Sequence, residues 1–495
     1  MVILYYIMFD TEYCNPSSLL ENYERKENTV FDEYRNGFQK TLQISEYAKQ
    51  HSNVHNPYWA LEQYEYYYYF FEKSCREKKV TIINPHTNKP MTTDIYFITA
   101  EGNDYGFPNL ICNYCFIEEN VILGVLLGTG NTGMFCGFVY LIDYNINKIK
   151  TMSHCGYPQY YTKEYTDLLF NMKEKIKEMN IDDIPIKIKT IYGCYTHTLG
   201  HNYFNDFTGI YIMYKMGFKN MIDEVVIGPN DSLNIENILK EQHNNIHIIK
   251  EDNVFHYNNL IGRGVFFRYS HFYITNNCAL YFKECLEKNF TLPSNTLSDI
   301  EYIKNNYGPI FTFHLRVGNS SGMVSCDTVI SETINSLIKI YPNAFFILDG
   351  WYSYKKLENK SHKCSILNND TYDILTNEYE TISKSIISKI NTDNCRSLIC
   401  LELISSIKYS EIVNFGIYFN TSANITTWTL KIPGITFGRT HIDHQKNLDD
   451  VIAEDFPKMH YFTDGITFNS NNDIHTFSIE PSTIVEKVIQ NFTQL

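Results

Sequence analysis

No stretch of the chain approaches the roughly 18 consecutive apolar residues that a membrane-spanning helix requires, so no integral membrane segment is expected. The amino terminus, M-V-I-L-Y-Y-I-M-F-D, is briefly apolar but lacks a basic leading region and a small-residue cleavage site, so it does not read as a secretory signal. Positive charge is also scarce. Lys and Arg number 42 against 56 Asp and Glu, a formal net charge of −14. That balance excludes a general affinity for nucleic acid or anionic membrane and still permits a local basic pocket. A disulfide framework is missing too, because the 13 cysteines are scattered along a long chain and odd in number. Cys112 and Cys115 form a C-x-x-C without a second pair of ligands at zinc spacing, since Cys136, Cys155 and His154 do not supply one, so no metal is expected. These absences predict a cytoplasmic protein.

What is present is a globular composition, 44% apolar and 20% charged, in 495 residues, too many for one ordinary core. So Asn-rich a chain produces Asn-x-Ser/Thr triplets by chance, and those at Asn289, Asn369 and Asn424 carry little weight as glycosylation signals. Residues 1–155 read as an accessory α+β region, with helices over 30–51 and 58–78 and then antiparallel strands over 91–149. The run Y-E-Y-Y-Y-Y-F-F at 64–71 reads as a helix face buried against a neighbour, with a sugar-stacking platform as the alternative. G-T-G-N-T-G at 128–133 is not followed by a helical pattern and reads as a hairpin turn rather than a phosphate loop.

From residue 156 the pattern alternates between strand and helix, the mark of a parallel sheet with crossover helices. A charged helix within 157–179 leads to strands at 186–192, 224–228, 246–250 and 265–269, with helices at 203–216, 232–242 and 276–289. The polar connector 290–307 reads as a domain boundary. A second α/β half, 296–495, places strands at 310–315, 344–348, 411–419 and 434–437, and helices at 327–341, 395–409, 423–430 and 482–492. The fold class is therefore α/β, with a first half (156–295) and a second half facing one another across a cleft that suits a nucleotide-bearing ligand.

Three loops carry chemistry. P-I-F-T-F-H-L-R-V-G-N-S-S-G brings His314, Arg316, Gly318 and Asn319 to the carboxyl end of a strand, where a guanidinium can bind phosphate bidentately without losing its charge. The plainer alternative is a surface arginine and a satisfied core histidine. C-Y-T-H-T-L-G-H-N-Y-F-N-D-F-T-G crowds His197, His201, Asn202, Asn205 and Asp206 at a strand-to-helix junction. His201 and Asp206 are the general-base candidates there, against a capping role for Asn202 or Asn205. I-Y-F-N-T-S-A-N-I-T-T-W-T-L-K-I-P-G-I-T-F-G sets Thr421, Ser422, Ala423 and Asn424 at the start of a helix, more small polar groups than capping needs. Asp349 and Trp351, at the end of a strand, are candidates for lining the same pocket, and Glu402 for ribose hydroxyls.

H-L-R-V-G-N in the second half, with N-T-S-A-N-I-T-T-W-T-L-K-I-P-G-I-T-F-G nearer the carboxyl end, resembles the GT-B class of nucleotide-sugar glycosyltransferases. The His314/Arg316 element is similar to the H-x-R motif of its fucosyltransferase-like group, and the later segment to the donor-phosphate loop of its heptosyltransferase-like enzymes. G-H-N-Y-F-N-D resembles an acceptor-side loop. The resemblance spans about residues 185–440 and implies two facing Rossmann-like domains, with a nucleoside-diphosphate sugar held by residues 296–495. It implies a base from the first half and a glycan or protein acceptor, in an inverting reaction with neither cofactor nor metal. Val317, Gly318 and Asn319 stand where that group carries a further basic and an acidic residue, which leaves the nucleotide open. No D-x-D follows an apolar strand, so metal-bound diphosphate chemistry is not expected. The other readings are a nucleotide-sugar epimerase or hydrolase on the same fold, and a non-catalytic carbohydrate-binding protein.

Overall fold

The structure is a computed structural model that describes residues 10–13, 29–44, 57–84, 87–102, 108–127, 137–146, 148–151, 163–192, 202–228, 233, 235–242, 246–250, 254–270, 273–316, 322–350, 369–419, 424–437, 453–471 and 474–493. The chain divides into two compact units. Met1–Asn36, His51–Phe272 and Ser361–Ile366 make one, and Gly37–Gln50, Tyr273–Lys360 and Leu367–Leu495 the other. Both mix helices with sheet. No helix among the described residues is long and apolar enough to cross a membrane.

From the amino end, β1 (Asp10–Tyr13) is followed by α1 (Val30–Ile44) and α2 (Pro57–Glu77). Tyr67, Tyr68, Phe70 and Phe71 of α2 are buried, Tyr68 donates its hydroxyl hydrogen to the Ser270 carbonyl at 2.8 Å, and its ring lies 4.2 Å from that of Tyr269. The tyrosine run is thus a buried helix face, each ring adding edge-on aromatic contact to the area it removes from water.

A hairpin of β2 (Val80–Ile83) and β3 (Pro90–Thr93) precedes β4 (Ile95–Gly102), β5 (Pro108–Phe116), β6 (Val121–Leu126), β7 (Gly137–Asp143) and β8 (Lys148–Thr151). From β4 to β8, neighbours pair antiparallel, as the alternating pattern predicts. Cys112 and Cys115 are both buried on β5, where three residues of extended chain send them to opposite faces of the sheet and so prevent a shared metal.

After α3 (Lys163–Glu178) come β9 (Ile186–Tyr192), α4 (Thr208–Lys215), β10 (Glu224–Ile227), α5 (Ile235–Gln242), β11 (His247–Lys250) and β12 (Ile261–Phe267). β12, β9, β10 and β11 run parallel in that order, and β12 also pairs antiparallel with β4. The β-rich region and the first α/β region therefore share a single ten-stranded sheet, with no break near residue 155.

The second unit contains α6 (Asn276–Asn289) and α7 (Thr296–Asn306), so the expected linker at 290–307 is mostly helix and the division falls at Phe272/Tyr273. α7 escapes periodicity because only Thr296 and Ile303 are buried on it. Then follow β13 (Ile310–His314), α8 (Cys326–Ile340), β14 (Phe345–Asp349), α9 (Asn369–Lys389), β15 (Cys395–Ser397), α10 (Leu403–Ser410), β16 (Phe415–Phe419), α11 (Asn424–Leu430), β17 (Gly434–Phe437) and β18 (Met459–Phe462). A hairpin of β19 (Ile466–Asn471) and β20 (Ile474–Ile479) and the helix α12 (Pro481–Phe492) complete it.

Its six-stranded sheet is parallel throughout, in the order β15-β14-β13-β16-β17-β18. Counted along the chain that order is 3-2-1-4-5-6, the doubly wound arrangement. Phe311, Phe313, Phe346, Leu348 and Ile417 point to one face, into a core with Ile330, Ile334, Ile386, Ile484 and Val488 of α8, α9 and α12. Ile310, Phe345 and Ile347 point to the other, against Ile303 of α7 and Tyr409 of α10. Burial of both faces explains why these strands read as unbroken apolar runs.

One expected helix, 395–409, is split. Residues 395–397 pair with β14 as its edge strand, Cys400 takes a left-handed conformation with φ 65°, and the helix begins only at Leu403. Pairing with β14 outweighs the helical period of so short an apolar run.

Asp327, in the first turn of α8, is clasped by Lys389 Nζ and Ser385 Oγ of α9, each at 2.6 Å from Oδ2. Those hydrogen bonds bring its carboxyl down to about 2, against the upward push of burial. A carboxyl depressed in the folded state adds stability above its unfolded pKa of about 3.9, and that stability is lost as pH falls through the folded value. The melting temperature of the wild type should therefore drop more steeply than that of Asp327→Asn between about pH 4 and 2, and salt should narrow the gap because the pair is partly exposed. Parallel acid profiles for the two proteins would remove the clasp.

Candidate functional site

In a doubly wound sheet, ligands bind beyond the carboxyl ends of the strands where the strand order reverses. Here that point lies between β13 and β16, and β13 delivers His314, Leu315 and Arg316 to it. The β13/β14 ladder runs one residue past the strand, with Leu315 N–H donating to the Asp349 carbonyl at 2.7 Å. Gly350 follows with φ 135°, and a Cβ there would fall 2.4 Å from the Leu315 carbonyl oxygen, so only glycine lets the chain leave β14 this close to β13.

Register places His314 between Asp349 and Tyr418. Asp349 is fully buried; its Oδ1 accepts the Gly350 N–H at 2.8 Å and its Oδ2 accepts the Ser406 hydroxyl from α10. His314 Nε2 lies 3.6 Å from that Oδ2, beyond hydrogen-bond reach, and has no hydrogen-bond partner among the described residues. Burial lowers the imidazole below its ordinary range, against the upward pull of Asp349, so His314 is neutral at neutral pH and acts as a hydrogen-bonding group rather than a cation. The ring of Tyr418 sits 5.1 Å from that of His314 and is folded over Gly416, where a Cβ would meet its hydroxyl oxygen at 2.1 Å. Burial pushes this phenol up, and Thr426 Oγ1 donates to it at 3.3 Å.

Arg316 is half-buried just beyond β13, and its carbonyl accepts the Met323 N–H at 3.4 Å across residues 317–321. Asn424 opens α11 directly after β16. His314, Arg316 and Asp349 thus share one sheet edge. Glu402 is exposed and stands at the N-cap of α10 rather than on a helix, its carbonyl accepting the Ser405 N–H at 2.9 Å.

In the first unit, Asn205 and Asp206 belong to a π-turn, Asn202–Phe207, that leads into α4, and both are buried. Asp206 Oδ1 accepts a 2.7 Å hydrogen bond from Arg268 Nη2, with both side chains 4% exposed, and Arg268 Nη1 donates to the Leu127 carbonyl at 3.0 Å. A carboxylate engaged by a guanidinium away from solvent anchors the end of β12 to the π-turn, so Asp206, a general-base candidate by sequence, is here one half of a buried ion pair. His197, His201, Gly318, Asn319, Trp351, Thr421, Ser422 and Ala423, like the G-T-G-N-T-G turn, lie outside the described residues.

Ser406, Tyr418 and Arg268 were not singled out by sequence. Tyr418 carries a signal in retrospect, an aromatic at the end of an apolar strand that precedes a small-residue loop; Ser406 and Arg268 carry none, because their partners lie 57 and 62 residues away. Among the described residues no three His, Cys, Asp or Glu side chains gather as a metal site would require. Compared with protein-family models and with curated protein sequences, the chain matches none.

Proposed function

We propose that the protein is a glycosyltransferase that moves a sugar from a nucleoside-diphosphate donor to a glycan or protein hydroxyl, with the second unit as the donor side of a GT-B pair. The reading rests on one observation above the others: Arg316 stands at the carboxyl end of the strand where the order reverses, the place where α/β sheets hold anionic ligands. In the proposed reaction the acceptor oxygen attacks the anomeric carbon, the bond to the diphosphate breaks, and Arg316 carries the charge that develops on the departing phosphate. Neutral His314 serves as a hydrogen-bonding neighbour, since a second cation would need Asp349 to compensate it. Because Arg268 occupies Asp206, the proton of the acceptor goes to His201 in this reading.

The test is a thermal-shift titration of the full chain. UDP, GDP, ADP or CDP is expected to raise the unfolding midpoint more than equimolar pyrophosphate does, since a ligand at 100 times its Kd adds about 2.7 kcal/mol to the native state. If none of the four does so, the donor site has been misassigned. A second reading, a nucleotide- or carbohydrate-binding protein without transfer, is favoured by the commitment of Asp206 to Arg268. It predicts binding with no donor turnover at any acceptor.

A further inference from the structure

Asp349 ties three elements together beneath the end of β13. Its carbonyl accepts the Leu315 N–H at 2.7 Å, the last ladder bond before Arg316. Its carboxylate is gripped twice, Oδ1 by the Gly350 N–H at 2.8 Å and Oδ2 by the hydroxyl of Ser406 on α10. All of this is out of solvent, with Asp349 at 0% and His314 and Ser406 at 2% exposure. Yet Oδ2 stops 3.6 Å from His314 Nε2, and that nitrogen has no hydrogen-bond partner among the described residues. A buried imidazole and a buried carboxylate this close ordinarily close the gap, because each otherwise bears its desolvation cost alone. The hydroxyl of Ser406, which takes up Oδ2 from the α10 side, is what keeps it open.

The groups that face His314 from each neighbouring element are few. β14 supplies Asp349, α10 supplies the uncharged Ser406 through it, and β16 supplies Tyr418, whose ring lies 5.1 Å away and whose phenol burial pushes up, so that it stays neutral. Asp349 is therefore the one charge that can decide the state of the imidazole, and burial outweighs its pull as the groups now stand.

We propose that Ser406 is a positioning residue of the donor edge: by holding Asp349 Oδ2 on α10 it keeps the carboxylate from pairing with His314, and so fixes the two residues that carry β13 into Arg316. Ser406 touches no ligand in this account. It acts through Asp349, whose carbonyl holds Leu315 and whose carboxylate faces His314. Groups fixed in this way before binding lose less freedom when a ligand arrives. The inference rests on the donor-site reading above, and its test separates the two.

The full chain is compared with Ser406→Ala, Ser406→Thr and Ser405→Ala. Ser405 is the matched control: it neighbours Ser406 on α10, is 1% exposed, and its Oγ has no hydrogen-bond partner among the described residues. Titration of His314 is followed by NMR, its signal assigned by its loss in His314→Gln, and affinity for whichever of UDP, GDP, ADP and CDP binds the wild type by calorimetry at neutral pH. Ser406→Ala is expected to raise the imidazole midpoint by about one pH unit or more, as the released carboxylate closes on Nε2. It is also expected to weaken diphosphate binding on the order of tenfold, as small misplacements of binding groups do. Ser406→Thr, which keeps the hydroxyl, and Ser405→Ala are expected to do neither. An unmoved midpoint in Ser406→Ala, an equal rise in Ser405→Ala, or a raised midpoint with unchanged affinity overturns the positioning role. If the alanine variant does not fold, Ser406→Cys, a weaker donor of similar shape, takes its place with the same outcomes. If no diphosphate binds the wild type, the donor reading fails and the titration alone decides: a midpoint raised only where the Ser406 hydroxyl is lost supports the hold on Asp349, and an unmoved one overturns it.

Discussion

Arg268→Met is expected to destabilise the protein by about 3–5 kcal/mol, the usual consequence of removing one partner from a buried ion pair. Arg268 and Asp206 are each 4% exposed, and the guanidinium also binds the Leu127 carbonyl. The variant takes from a buried carboxylate the guanidinium that faces it and from a buried carbonyl one donor, and both losses uncover desolvation costs that the wild type offsets. The urea midpoint of the first unfolding transition should fall accordingly. Arg268→Met combined with Asp206→Leu should restore much of the loss, since a matched apolar pair is often as stable as the ion pair it replaces. A single variant that melts like the wild type would show that the pair is not sealed from water. The same experiment bears on chemistry: a residue whose replacement acts through stability is an anchor of the π-turn, and its effect on turnover should track the fraction of folded protein.

Arg316→Ala is expected to cost about 2–4 kcal/mol of transition-state stabilisation, roughly 30-fold to 1000-fold in kcat/KM for sugar transfer. Arg316 lies beyond the last ladder bond of β13 and is only half-buried, so the melting temperature should barely move, which separates this prediction from the first. Arg316→Lys should recover part of the loss, because an ammonium supplies charge but not the two-pronged geometry of a guanidinium. Donor turnover by Arg316→Ala at the wild-type rate would remove the arginine from the mechanism, whatever the nucleotide.

The elements of the second unit were legible because their burial is legible. β13, β14 and β16 are covered on both faces and so appear as short apolar runs, and α8 shows its Ile330, Ile334 and Leu337 face at helical spacing. What escaped notice was surface-facing or paired at long range. α7 buries too little to show a period, β18 and the β19–β20 hairpin lie in a tail that showed only its last helix, and β15 reads as helix until β14 is placed beside it.

The sequence by itself determined the α/β class, the parallel character of the later strands, the buried role of the tyrosine run, and the presence of Arg316 at a strand end, because each follows from periodicity and burial within a few residues. Only the tertiary structure decided that β16 lies on the far side of β13 from β14, that the β-rich region shares a sheet with β9–β12, and that Asp206 is bound by Arg268. These are pairings between groups tens to more than a hundred residues apart, and local pattern carries no record of which distant strand, charge or ring will be met.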